Sequence, residues 1–194
     1  MKKKFFVLIF VAVVLALCLC ACNEDTYLRF NKLLQEDYSQ VKLTVTSTVN
    51  GETLTSTVNA VSEGDKTTVT YTIQQFAVIS SDNVPDDYVV EKEGRIVVQN
   101  GKIVEKQGDQ VDISFANVVE NRIEFKSDYF SVAQWQGSVF SATVVKPAEF
   151  LGVSIFDGTN VKVSVKATDV LEYLEISYAS STGAQVVMRY EFTK

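Results

Sequence analysis

Over most of residues 41 to 193 apolar side chains return at every second position, and this alternation restricts the fold more than any other property of the chain. A period of two puts successive side chains on opposite faces of an extended strand, so each run has one apolar and one polar face. Val41, Leu43, Val45 and Val49 alternate with Lys42, Thr44, Thr46 and Thr48, and Asn50-Gly51 then supplies the residue types of a two-residue hairpin. Glu52 to Val61 returns, Glu63-Gly64-Asp65 turns, and Lys66 to Val78 runs out with Val69, Tyr71 and Ile73 on one face. Phe76 and Val78 have the opposite parity, which a bulge near Gln74-Gln75 would correct.

The pattern continues as short strands at Tyr88 to Glu93, Arg95 to Gln99 and Ile103 to Lys106, joined by turns at Glu93-Gly94 and Asn100-Gly101. Further strands are expected around Val111, Ile113 and Phe115, at Ile123 and Phe125, and at Phe140, Ala142 and Val144, with a less regular stretch at Tyr129 to Gln136. Pro147 to Gly152 reads as one helical turn, with Pro near its start and Gly past its end. Phe156 to Asn160 reads as a hairpin turn, after which Val161-Val163-Val165, Leu174-Ile176-Tyr178 and Val186-Met188-Tyr190-Phe192 complete a meander. A 3.6-residue period occurs only over Asp25 to Gln40, where Tyr27, Phe30, Leu34 and Tyr38 share one face. A helix lying on a membrane is the alternative there, but its polar face is not rich in Lys or Arg, which favours packing on the sheet. The expected fold is mainly β (α+β): one antiparallel sheet of ten or eleven strands with one N-terminal helix.

The start of the chain carries a different message. Lys2, Lys3 and Lys4 precede an uncharged apolar run from Phe5 to Leu19, the arrangement of a secretory signal. The closing Leu19-Cys20-Ala21-Cys22 resembles the lipobox of bacterial lipoproteins, with Ala21 as the small residue before the cut and Cys22 just after it. The resemblance implies that residues 1–21 are removed, that Cys22 becomes a lipidated N-terminus, and that residues 22–194 form one domain held on the outer face of the bacterial cell membrane. The plainer alternative is an uncut span, for which Phe5 to Ala21 is short. Cys18 and Cys20 follow Leu17 and Leu19, which are bulky where a small residue is wanted.

Removal of that segment lowers the basic count from 18 to 15 against 24 acids, a net charge of −9. A chain so acidic lacks the basic stripe that nucleic acid requires. Cys22 would be the last cysteine, with its sulfur bonded to lipid, and the sequence contains no His. Ser-His-Asp and Cys-His catalysis and His-based metal sites are thereby excluded. Carboxylate dyads and Ser-Lys pairs remain, although scattered surface acids are the plainer account of them. Asp82, Asp86 and Asp87 invite a calcium reading, but their spacing is not that of a calcium loop, and Pro85 constrains the segment. No metal, cofactor or catalytic residue is expected.

Phe140-Ser-Ala-Thr-Val144, Pro147 to Gly152, and the closing run Leu174 to Tyr178 and Tyr190 to Phe192 give residues 22 to 194 an arrangement that resembles the LolA/LppX type of lipoprotein carrier. That resemblance implies a curved, half-barrel sheet around an apolar hollow beside a helix; a carrier of the LolA type is normally soluble, whereas Cys22 would tether this chain. The candidates for lining a hollow are Tyr71, Phe76, Phe115, Phe125, Trp135, Phe140, Tyr178 and Tyr190, each of which could equally be ordinary sheet core. Two functions are therefore expected as alternatives: noncatalytic binding or transfer of an apolar, lipid-like ligand, or a protein-interaction module with a solid interior.

Overall fold

A computed structural model describes residues 26–76, 89–109 and 122–194. Its ten strands are β1 (Gln40–Val49), β2 (Glu52–Glu63), β3 (Lys66–Phe76), β4 (Val89–Gln99), β5 (Lys102–Gly108), β6 (Phe130–Gln136), β7 (Val139–Val144), β8 (Thr159–Ala167), β9 (Leu171–Ala179) and β10 (Gln185–Thr193). All pair antiparallel in one open, curved sheet of order β5-β4-β3-β2-β1-β10-β9-β8-β7-β6. The helix α1 covers residues 26–34, and α2 is Pro147–Leu151. The fold is thus mainly β, as the alternation requires.

The turns explain the register. Asn50 and Gly51 both take positive φ (51° and 88°), as do Asn100 and Gly101 (50° and 71°), the type I′ geometry whose twist matches paired strands. α2 begins at Pro147 and stops at Gly152, whose φ of 63° lets its N–H cap the preceding carbonyls.

Four local expectations are corrected. β4 runs unbroken through Glu93-Gly94, with Tyr71 directly opposite Gly94, so there is no turn there. β3 and β4 stay in register from Lys66↔Gln99 to Phe76↔Val89, so no bulge separates Gln74 from Gln75. Ile123 and Phe125 lie in an extended segment that joins no strand. Its polar groups are met by Asn31, whose amide donates to Phe125 O and accepts from Phe125 N at 2.8 Å each, and by Glu124 N donating to Phe150 O at 3.1 Å. Thr159 and Asn160 already belong to β8, and the link from β7 contains α2 rather than a tight turn.

α1 is also shorter than its periodicity suggests. It tightens at its end through Gln35 N donating to Lys32 O and Glu36 N to Leu33 O, and Tyr38 turns back onto the sheet from beyond it. The Tyr38 hydroxyl donates to Leu33 O and accepts from Leu171 N, which fastens the helix end to β9. The buried face of α1 crosses the concave side of the sheet from β6 and β7, where Tyr27 meets Phe130 and Phe140, to β10, where Tyr38 meets Phe192.

Candidate functional site

One row of side chains crosses all ten strands: Gly108, Gly94, Tyr71, Val58, Leu43, Tyr190, Leu174, Val165, Phe140 and Trp135 are successive Cα partners. Four of the eight aromatic candidates therefore share a row on the concave face, yet they do different things along it. Phe140 is wholly buried and Trp135 is 46% exposed at the edge strand. Both pack on Phe30 of α1, with ring centroids 5.4 and 5.9 Å away. Phe125 joins the same cluster from the extended segment, 5.1 Å from Phe30 and 5.2 Å from Phe150. Interlocked rings at these distances make a dry core. Tyr178 is half-buried against Phe156 at 5.0 Å, and burial followed by the nearby Asp157 charge pushes its phenol up. Tyr71 is buried, lies over Gly94, and donates its hydroxyl hydrogen to Asp109 O. Phe115 and Cys22 fall outside the described residues, as do Asp82, Asp86 and Asp87, and Phe76 is described only as the last residue of β3.

Tyr190 is the exception. The nine described residues of α1 extend about 14 Å at 1.5 Å per residue, whereas ten strands about 4.8 Å apart span about 43 Å. Among the described residues, α1 therefore covers only part of the sheet. Where α1 ends, a cavity of about 360 Å³ opens between Leu34 to Tyr38 and the concave face. Its wall is Val41, Ala60, Leu174, Tyr190 and Phe192 from the sheet with Ile123 from the extended segment, and Gln35, Glu36, Asp37, Ser62 and Thr67 add polar groups. Glu36 is bound by Lys194 at 2.6 Å, and the same ammonium lies 5.1 Å from the Tyr38 ring centroid. The Glu36 hydrogen bond raises the Lys194 pKa, while burial first, and then the Glu36 charge, hold the Tyr38 phenol above its usual value.

The Tyr190 hydroxyl is buried and has no hydrogen-bond partner among the described residues. Tyr190 itself is 2% exposed, and burial pushes its phenol well up, so the hydroxyl keeps its proton at any physiological pH. Among the described residues no buried polar or charged residue and no cluster of acids fit for a metal accompanies it. Of the aromatic candidates in the sequence, Tyr190 stands on this wall, which also holds the aromatic Tyr38 and Phe192 and the aliphatic Leu34, Val41, Ala60, Ile123 and Leu174. Val41 and Phe192 were legible as alternating apolar positions, but nothing local marks Ala60, Ser62 or Thr67 as lying beyond the helix end.

No protein-family model and no curated protein matches the sequence. Among solved structures, the dehydratase domain from the CurF module of curacin polyketide synthase aligns over 84% of this chain and 79% of its own, at 9% identity and a TM-score of 0.20. A likeness of that size carries no argument about fold or chemistry.

Proposed function

We propose that this chain is a noncatalytic cell-envelope lipoprotein, exported and tethered through Cys22, that holds a small apolar ligand in the cavity beyond α1. The observation that carries this reading is the cavity itself: about 360 Å³ of space whose wall combines Leu34, Val41, Ala60, Ile123, Leu174 and Phe192 with the polar Gln35, Glu36, Asp37, Ser62 and Thr67, next to the packed ring cluster under α1. Sites for small molecules are concave, largely preformed and combine apolar walls with polar groups, and this volume suits a medium-length chain rather than a whole phospholipid. The lack of any His in the sequence supports binding without catalysis.

Two substitutions test the two halves of the reading. Cys22→Ala removes the expected lipid acceptor, and metabolic labelling with a fatty-acid analogue is expected to vanish; continued labelling refutes the tether. Ala60→Phe puts a ring into the cavity from β2 and is expected to abolish stabilisation by added methyl octanoate, which mass action predicts for the wild type.

A second reading, a protein-interaction module, is favoured by the edge strand β6. It carries no charge over Phe130–Gln136 and exposes Val132 (80%) and Trp135. Edge strands that present no charge or Pro are open to pairing with another chain. It takes precedence if methyl octanoate leaves the wild type unaffected and Val132→Lys changes the size of the protein by sedimentation.

A further inference from the structure

Resting on the tether reading above, we infer that Leu28, with the hollow it shares with residues 125–128, is laid on the lipid surface that holds Cys22. Cys22 and Thr26 are four residues apart, so their Cα atoms lie within about 14 Å of each other whatever path the chain takes. An acylated Cys22 sits at the membrane surface, and chain length alone then holds the start of α1 beside it. What α1 presents there fits that position. Tyr27 is buried against Phe130 and Phe140, with ring centroids 5.3 and 5.9 Å away, while the next residue, Leu28, is 59% exposed. Leu28 lines an open hollow of about 400 Å³ with Tyr27, Phe125, Lys126, Ser127 and Asp128. A large apolar side chain left in water gains by entering the boundary between headgroups and acyl chains.

Charge favours the same face. The processed chain would carry 15 basic against 24 acidic residues, and an anionic leaflet repels a surface of that composition. Beside the hollow the carboxylates are matched, since Lys126 bonds Glu124 at 2.7 Å and Lys146 bonds Asp128 at 2.5 Å. Both ammonium groups also lie over the Tyr129 ring, 5.5 and 5.8 Å from its centroid. Lysine stems around an aromatic ring suit the headgroup layer. Because these lysines are already engaged, the contact is made by apolar burial rather than by attraction to lipid phosphate. Ile103, as exposed as Leu28, stands on β5 at the end of the sheet opposite β6 and has no such link to the tether. With Leu28 docked, the cavity opens at the other end of α1, about 14 Å along the helix.

The test uses the full processed chain, purified with its acyl groups and reconstituted into vesicles of phosphatidylcholine and phosphatidylglycerol. Leu28→Cys and Ile103→Cys each carry one bimane label, at positions 59% and 58% exposed, so neither label disturbs the packing beneath it. Phospholipid brominated along its acyl chains quenches only a label that reaches the bilayer. Most of the Leu28→Cys fluorescence is expected to be lost and little of the Ile103→Cys fluorescence, with the same result in high salt. Equal quenching at the two positions, no quenching of Leu28→Cys on vesicle-bound protein, or loss of its quenching in high salt each overturns the inference and leaves the tether standing. Protection of the Leu28→Cys label from aqueous iodide without quenching by lipid puts a second copy of the chain on that face, and overturns it as well. Protein that fails to float with the vesicles refutes the tether, and the docked face falls with it.

Discussion

Gly94→Ala isolates a non-local constraint in this sheet. Gly94 sits in the interior of β4, where glycine normally weakens a strand and alanine is better by about 0.5–1 kcal/mol. Here the sign reverses. A Cβ on residue 94 would run into the hydroxyl and ring of Tyr71, its direct partner on β3, and would stand 2.8 Å from Gln107 O on β5. Tyr71 cannot yield cheaply, since it is 3% exposed and its hydroxyl is bonded to Asp109 O. Overpacking costs about 1–3 kcal/mol and a forfeited neutral hydrogen bond about 0.5–1.5, so the substitution is expected to destabilise by about 2–4 kcal/mol. Urea unfolding of the two single variants and the double variant separates the causes. In a Tyr71→Ala background the cost of Gly94→Ala should fall by more than half, leaving the smaller clash with Gln107 O. A neutral Gly94→Ala, or the same cost with and without the Tyr71 ring, would refute the claim that an aromatic laid over a cross-strand glycine fixes this position.

Three other outcomes are expected. Asn31→Ala removes both hydrogen bonds that hold the Phe125 backbone to α1 and should cost about 1–3 kcal/mol in urea unfolding, with Asn31→Asp intermediate because it keeps the acceptor. Val132 has a φ of 51° where β6 and β7 slip register, and a β-branched residue there is strained by about 1–2 kcal/mol, so Val132→Gly should raise stability by up to about 1 kcal/mol after its entropic cost; a clear loss in thermal melts would contradict this. The Lys146 hydrogen bond, 2.5 Å long, lowers the Asp128 pKa, so its stabilisation is present above the usual Asp range and lost as pH falls through the depressed value; Asp128→Asn should flatten that part of the acid limb of a melting-temperature profile.

The comparison of sequence with structure divides along the range of the forces. The type I′ turns at Asn50-Gly51 and Asn100-Gly101, the stop at Gly152 and the inward parity of Tyr71, Phe140 and Tyr190 are set within a few residues, and all were legible. Glu93-Gly94 reads as a turn in the sequence because the reason for its glycine lies on another strand, in the ring of Tyr71. Ile123 and Phe125 alternate like a strand, but the Asn31 side chain takes the place of a neighbouring strand, which no local pattern reveals. Tyr38 kept the helical period past the end of α1 because its ring still turns to the same core. The cavity was legible only as a consequence of one helix facing a wide sheet; its location depends on where α1 stops, and of the described aromatic candidates Tyr190 stands on its wall while Tyr71, Phe125, Trp135, Phe140 and Tyr178 pack elsewhere.

Native mass spectrometry of the protein purified from its native host tests the central claim most directly, with Ala60→Phe as the matched control. The account predicts a noncovalent aliphatic adduct on the wild type, in addition to the covalent acyl groups on Cys22, that is absent from folded Ala60→Phe. Wild type and variant carrying the same adduct, or neither carrying one, would contradict it.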